Sequence, residues 1–195
     1  MPPPAQLLSP LKLSTVFLDR DGVINEKMPE GSYVRSLGEL RLLPGAAEAI
    51  AKLNRVHLRT LVVTNQRGVA LGLYSMADVE AIHSALQRQL AGRGAHVDRF
   101  YVCPHDKGRC NCRKPLPGLY EQALADFPDI DAAASVLIGD SLSDIEFGRR
   151  LGMHTVFIGD APGRPGPGAE TAGTLADLRL GSLAEAVDKL LETNR

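Results

Sequence analysis

The chain contains no tryptophan, and aromatic residues make up only 5% of it. Its core must therefore be aliphatic, built from Leu, Val, Ile and Ala. Charge of one sign is missing too: the formal net charge is -1 and no long basic run occurs. That leaves no electrostatic footprint for nucleic acid or an anionic membrane. No stretch approaches the roughly 20 apolar residues of a membrane span. The opening segment, MPPPAQLLSPLKLS, is proline-rich and lacks the charged-then-apolar order of a secretion signal. These absences point to a cytoplasmic protein with residues 1–13 as a flexible lead-in. Cysteine is scarce as well. There are three, an odd number, confined to Cys103, Cys110 and Cys112. A disulfide scaffold would spread them along the chain, whereas clustering beside a histidine suggests a metal site.

The 195 residues suffice for one domain with a sizeable core and are too few for two ordinary ones. Short β-branched runs alternate with longer amphipathic stretches. Strands are expected at Thr15 to Leu18, Leu58 to Thr64, Phe100 to Cys103, Ser135 to Gly139 and His154 to Gly159. Helices are expected at Pro44 to Leu53, Met76 to Leu90 with Ser75 as its cap, Gly118 to about Asp126, Asp144 to Leu151 and Leu183 to Leu191. The Gly- and Pro-rich stretch from Asp160 to Gly173 reads as a loop. Strands this apolar on both sides fit a parallel sheet covered by helices on each face. The expected fold is a three-layer α/β/α Rossmann-like domain whose core spans about residues 14–160. The linker from Asn25 to Leu40 is long enough for a substrate-covering loop and too short for a cap domain. In such sheets the site lies beyond the carboxyl ends of the strands, and Asp19, Thr64, Cys103 and Asp140 stand at or just past strand ends.

In VFLDRDGV, Val16 to Val23, two carboxylates sit two residues apart where an apolar strand ends. Held close, they repel unless they share a cation or a proton. A solvated turn with a chance Asp-x-Asp is the bland reading of this fragment alone. Likewise, Lys114 by itself reads equally as a surface lysine, and GDSLSD, Gly139 to Asp144, as a capped helix start. Taken in order, DRDGV, VVTN (Val62 to Asn65), Lys114 and GDSLSD resemble the four motifs of the haloacid-dehalogenase-like phosphatase superfamily. The similarity is greater to the small, capless D-glycero-D-manno-heptose 1,7-bisphosphate phosphatases, and it runs from about Phe17 to Asp160. The histidinol-phosphate phosphatases share most of these motifs. The resemblance implies a magnesium-dependent phosphatase acting on a small phosphorylated sugar. Asp19 would be the nucleophile, and Asp21 the acid and then the base. Thr64 and the backbone of Asn65 would grip phosphoryl oxygens, and Lys114 would offset negative charge. Asp19, Asp140 and the main-chain oxygen of Asp21 would bind Mg2+, with Asp144 in support. Arg113 resembles the arginine that contacts substrate near its reacting phosphate. The family's NQSG-type loop is matched by Asn65, Gln66, Arg67 and Gly68 except at Arg67. That arginine either reaches a distal phosphate or points to water. Lys27, Tyr33 and Arg35 lie in the loop after the nucleophile, where they can contact the sugar.

CPHDKGRCNC, Cys103 to Cys112, offers three thiolates and one imidazole, from Cys103, His105, Cys110 and Cys112. That donor set suits tetrahedral zinc, and with no open position the zinc would be structural. The resemblance agrees, because many heptose bisphosphate phosphatases carry a structural zinc in this loop. A redox role is disfavoured by the lack of a C-x-x-C pair. The principal rivals are a histidinol-phosphate phosphatase and a non-catalytic, zinc-stabilised interaction module. A monomer without nucleic-acid or membrane partners is expected.

Overall fold

The protein was analysed as a computed structural model that describes residues 12–159 and 168–193. Residues 1–11 of the expected lead-in and residues 160–167 of the expected loop lie outside the described residues. Six parallel strands form the central sheet: β1 (Thr15–Leu18), β2 (Arg59–Asn65), β3 (Arg99–Cys103), β4 (Ser135–Gly139), β5 (His154–Ile158) and β6 (Leu178–Leu180). Their spatial order is β3-β2-β1-β4-β5-β6. Six helices connect or follow them: α1 (Ala46–Arg55), α2 (Met76–Ala91), α3 (Gly118–Asp126), α4 (Leu142–Leu151), α5 (Ala169–Leu175) and α6 (Leu183–Thr193). Among the described residues, no helix is long and apolar enough to cross a membrane.

The period-two geometry of the strands divides the core into two. Val16, Leu18, Val62, Val136 and Ile138 face α1, α2 and α6, which contribute Ile50, Leu53, Ile82, Leu86, Val187 and Leu190. Phe17, Leu61, Val63 and Leu137 face the opposite way, against Leu119 and Ala123 of α3 and Phe147 of α4. Three layers follow, with no cap among the described residues. Helix α1 buries Ala46, Ala47, Ala49, Ile50 and Leu53 and turns Lys52 and Arg55 outward. This single apolar stripe is why it lies flat on the sheet. At the start of α2, Ser75 Oγ accepts from Asp78 N at 3.2 Å and Asp78 Oδ2 accepts from Ser75 N at 2.8 Å, a reciprocal cap.

Two expectations are corrected. The stretch expected to be a loop through Gly173 contains helix α5, and a sixth strand, β6, follows it. Both elements are too short for a hydrophobic period to show in the sequence, and Gly173 argues locally against a helix. Packing decides otherwise. Ala172 is fully buried against Phe157 and Ile145. Asp177 Oδ2 accepts from both the amide and the hydroxyl of Thr155, at 2.8 and 2.9 Å, which docks β6 onto β5. Helix α4 also begins two residues earlier than expected, because Ser141 rather than Asp140 or Ser143 occupies its N-cap.

Register carries the fold to the chemistry. Leu18 at the end of β1 lies opposite Val62 of β2 and Ile138 of β4. Asp19 continues the line, its amide donating to Ile138 O at 3.0 Å. The chain order reverses between β1 and β4, so the crevice beyond their carboxyl ends is the topological switch point.

An acid and lysine cluster at the strand ends

Asp19 and Asp140 follow β1 and β4, while Lys114 arrives from the loop before α3. Lys114 Nζ lies 2.8 Å from Asp19 Oδ1, 2.6 Å from Val63 O and 2.5 Å from Asp144 Oδ1. Asp19 Oδ1 and Val63 O accept hydrogen bonds from the buried ammonium, and Asp144 Oδ1 adds an ion pair. Asp144 serves twice. Its Oδ2 accepts from the amide and hydroxyl of Ser141 at the start of α4, which turns Oδ1 toward Lys114. Carboxylate oxygens of Asp19, Asp140 and Asp144 all lie within 4.8 Å of one another. Asp140 Oδ2 pairs with Lys27 Nζ at 2.6 Å, while Asp140 Oδ1 is buried without a partner.

The turn after β1 is folded around the Arg20 carbonyl, which accepts from the amides of Ile24 and Asn25 at 2.9 and 3.1 Å. Gly22 takes a left-handed φ of 92°, and a Cβ there would stand 2.2 Å from Asp140 Oδ2. Only glycine satisfies both the backbone and the space. A cavity of about 290 Å³ opens above this floor, lined by Asp19, Asp21, Thr64, Asn65, Arg113, Lys114 and Asp140, and roofed by residues 27–34. Tyr33 of that roof meets Tyr74 with ring centroids 5.8 Å apart. A larger groove, about 920 Å³, runs between α2 and β3, and none of the acid–lysine cluster lines it.

Arg67 and Gln66, expected at the substrate, are not among the residues lining the cavity. Arg67 pairs with Asp106 of the Cys/His loop. Gln66 is buried, donating to Asp21 Oδ2 at 2.9 Å and Thr64 Oγ1 at 2.8 Å and accepting from Tyr74 Oη at 2.7 Å. Asn65 grips the main chain of Lys114 from both sides, accepting from its amide at 3.0 Å and donating to its carbonyl at 3.2 Å. Arg20, Asn25 and His83 were not among the expected site residues. Arg20 is fully buried and forks onto both oxygens of Asp21, and Asn25 Nδ2 donates to Asp21 Oδ1 at 2.9 Å. Proximity of Arg20 to Asp21 in the sequence could have signalled an ion pair, but nothing local places His83, 63 residues away, against Arg20.

Cys103, His105, Cys110 and Cys112 bring one ligand atom each to within 4.8 Å of the others, a group able to hold a metal ion. The loop that carries them is stitched to the segment after β2. Gln66 N donates to Cys103 O at 2.8 Å, and Ala70 N donates to Pro104 O at 3.1 Å.

Two neighbouring carboxyls are driven in opposite directions. Burial pushes Asp19 up to about 7, with Asp144, Asp140 and Asp21 adding to the rise and Lys114 opposing it. Burial pushes Asp140 up to about 6, against Lys27. For Asp21 burial also works upward, but the charge of Arg20 and hydrogen bonds from Asn25, Gln66 and Arg20 outweigh it and hold the carboxyl below its usual range. A raised carboxyl pKa means that the folded state holds protons that the unfolded state has released. Stability conferred by Asp19 and Asp140 is therefore present at low pH and declines between about pH 4 and pH 7. Protein dialysed free of divalent ions without a chelator should show a falling free energy of urea unfolding from pH 5 to pH 7.5. Adding Mg2+ should restore more of it at the higher pH. A free energy that rises over that interval would contradict the assignment.

A family model described as HAD-hydrolase-like matches residues 111–179. The chain is 44% identical over 171 residues to a D-glycero-alpha-D-manno-heptose-1,7-bisphosphate 7-phosphatase of Mycobacterium tuberculosis, covering 87% of each sequence. It is 38% identical over 154 residues to a D-glycero-beta-D-manno-heptose-1,7-bisphosphate 7-phosphatase of Bordetella bronchiseptica, covering 78% of this chain and 84% of that one. Among solved structures it is similar to the D,D-heptose 1,7-bisphosphate phosphatase from B. bronchiseptica complexed with magnesium and phosphate. There the TM-score is 0.81 at 33% identity, with 92% of this chain and 99% of that chain covered. With its cluster at the switch point and this extent of similarity, the chain belongs to the D-glycero-D-manno-heptose-1,7-bisphosphate 7-phosphatase family of the HAD-like superfamily.

Proposed function

We propose that this chain removes the C7 phosphate of D-glycero-D-manno-heptose 1,7-bisphosphate through a phosphorylated Asp19, with Mg2+ as cofactor. The observation that carries the reading is the convergence of Asp19, Lys114, Asp140 and Asp144 at the mouth of one cavity. Asp19 attacks phosphorus, and the bond from phosphorus to the C7 oxygen breaks. Asp21 gives its proton to that oxygen. Asp21 then takes a proton from water, which attacks the aspartyl phosphate, and the bond from phosphorus to Asp19 breaks to free inorganic phosphate. In the free enzyme Asp21 sits as a carboxylate. A phosphoryl dianion beside it works the other way, disfavouring the charged form, so that Asp21 takes up from solvent as substrate binds the proton it then donates. Thr64 and the Asn65 main chain hold phosphoryl oxygens, while Lys114 keeps Asp19 in place and offsets charge. Arg113, at the cavity wall, is suited to the second phosphate by its forked donors.

The residues fit Mg2+. Asp19, Asp140 and the Asp21 carbonyl are hard oxygen donors, and the unpartnered Asp140 Oδ1 is a buried lone pair in need of a cation. Bound there, Mg2+ supplies positive charge that lets a carboxylate approach a phosphate dianion. The Cys/His loop fits structural Zn2+. The Cys103 and Cys110 sulfurs are 3.6 Å apart, far beyond a disulfide, and His105 Nδ1 lies 3.8 and 3.2 Å from the Cys103 and Cys112 sulfurs. Zn–S bonds of about 2.3 Å in a tetrahedron separate their sulfurs by about 3.8 Å.

Asp19→Asn should lower kcat by more than about a thousandfold, since an amide cannot attack phosphorus. Turnover within tenfold of wild type, about 1.4 kcal/mol, rejects the nucleophile. Elemental analysis should find about one zinc per chain, and Cys110→Ser should lower zinc content and Tm together; protein isolated without zinc refutes the structural role. Substrate is settled by kcat/KM measured side by side for both anomers of the heptose bisphosphate, fructose 1,6-bisphosphate and histidinol phosphate. One heptose anomer should lead by at least about a hundredfold, roughly 2.7 kcal/mol. If histidinol phosphate leads, the phosphatase chemistry stands and the heptose assignment falls.

A further inference from the structure

Arg20 poses a problem of accounting. Its side chain is wholly buried, its charge cannot be shed, and it has donors only. Each of its three nitrogens therefore needs an acceptor. Nε and Nη2 take the Asp21 carboxylate, with Nε 3.2 Å from Oδ1 and Nη2 3.0 and 2.9 Å from Oδ1 and Oδ2. Nη1 takes His83 Nε2 at 3.2 Å. Because arginine only donates, His83 must present a lone pair on Nε2 and carry its proton on Nδ1. The surroundings enforce this. His83 is buried on α2, its ring stacked on Phe100 at 4.4 Å between centroids and 18° between planes. Burial first, then the charge of Arg20, drive its pKa down to about 3. The imidazole is thereby held neutral and accepting near neutral pH.

We propose that His83 is a positioning residue for the reaction: by accepting from Arg20 Nη1 it fixes the guanidinium fork that orients the Asp21 carboxyl toward the leaving oxygen. The proposal rests on the acid and base role of Asp21 given above. Removing the acceptor breaks the bond from Nη1 to Nε2 and frees the guanidinium to turn toward another acceptor. The fork then releases one oxygen of Asp21. Its remaining partners, Asn25 Nδ2 on Oδ1 and Gln66 Nε2 on Oδ2, donate single bonds and do not define the carboxyl plane as a fork does.

Displacement of an acid has a signature that simple loss of stability lacks. A sugar alkoxide needs a proton to leave, whereas 4-nitrophenolate does not. Misplacing Asp21 should slow the first step for the sugar phosphate and spare it for the aryl phosphate. The experiment is rapid-quench measurement of phospho-enzyme formation, with Mg2+, in wild type, His83→Leu, His83→Gln and Asp21→Asn. The two substrates are D-glycero-D-manno-heptose 1,7-bisphosphate and 4-nitrophenyl phosphate. His83→Leu should slow formation from the sugar phosphate about tenfold or more and from the aryl phosphate less than about twofold. His83→Gln keeps an accepting oxygen and should return the sugar rate to within about threefold of wild type. Should His83→Leu fail to fold, His83→Ala with added imidazole makes the same comparison, because the wide groove between α2 and β3 reaches this side chain. Imidazole should then restore the sugar rate selectively. Equal slowing with both substrates, or with neither, overturns the proposal. If Asp21→Asn is selective and the His83 variants are not, the positioning role alone falls. If Asp21→Asn is itself unselective, the acid role of Asp21 falls and takes this proposal with it.

Discussion

Taking the Lys114 ammonium out of water is costly, and it is made tolerable by hydrogen bonds to Asp19 and the Val63 carbonyl and by an ion pair with Asp144. Those same acids, with Asp140, would repel one another without it. The rest of the site depends on this mutual requirement. Strands β1 and β4 place the acids, but Lys114 comes from a loop and must be delivered. Asn65 does so by clasping its amide and carbonyl, and the Cys/His cluster does so by closing the loop immediately before it. Segments 65–70 and 103–114 thus form one mechanical unit, cross-linked by main-chain bonds and by Arg67 with Asp106. A metal held by the Cys/His cluster would in this way bear on the placement of Lys114.

The two aspartates of the DRDGV turn illustrate how one short segment yields opposite electrostatics. Asp19 faces other acids in a buried pocket and is held high, a condition that invites a divalent cation. Asp21, two residues on, lines the same cavity, but Arg20, Asn25 and Gln66 hold it low. Environments that push paired carboxyls apart are the physical basis for giving them different tasks. Gly22, directly after Asp21, admits Asp140 to the same floor, so the turn also brings β4's acid against β1's.

Several features were legible before the fold was seen. Five strands and five helices follow from apolar runs, helical spacing and end signals such as Ser75. Elements without a period of their own were not. Helix α5 and strand β6 exist because Ala172 finds Phe157 and Asp177 finds Thr155, contacts that no window of sequence contains. In the site, DRDGV, Lys114, GDSLSD and the Cys/His spacing advertise themselves because each is a local pattern of rare types. The supporting cast does not. Gln66 and Arg67 stand in a recognisable loop, yet the structure turns one into the interior beside Asp21 and ties the other to Asp106.

Sequence alone determined the chemistry available to this protein: which acids stand at strand ends, which lysine precedes α3, and which four side chains can share a metal. These are properties of residue type and local spacing, and they survive any error in the path of the chain. Tertiary structure alone decided what each group feels. Whether a carboxyl is held high or low depends on burial and on charges brought from distant segments. His83 therefore reads as an ordinary histidine in sequence, and becomes the acceptor for a buried arginine only when α2 is laid against the turn after β1.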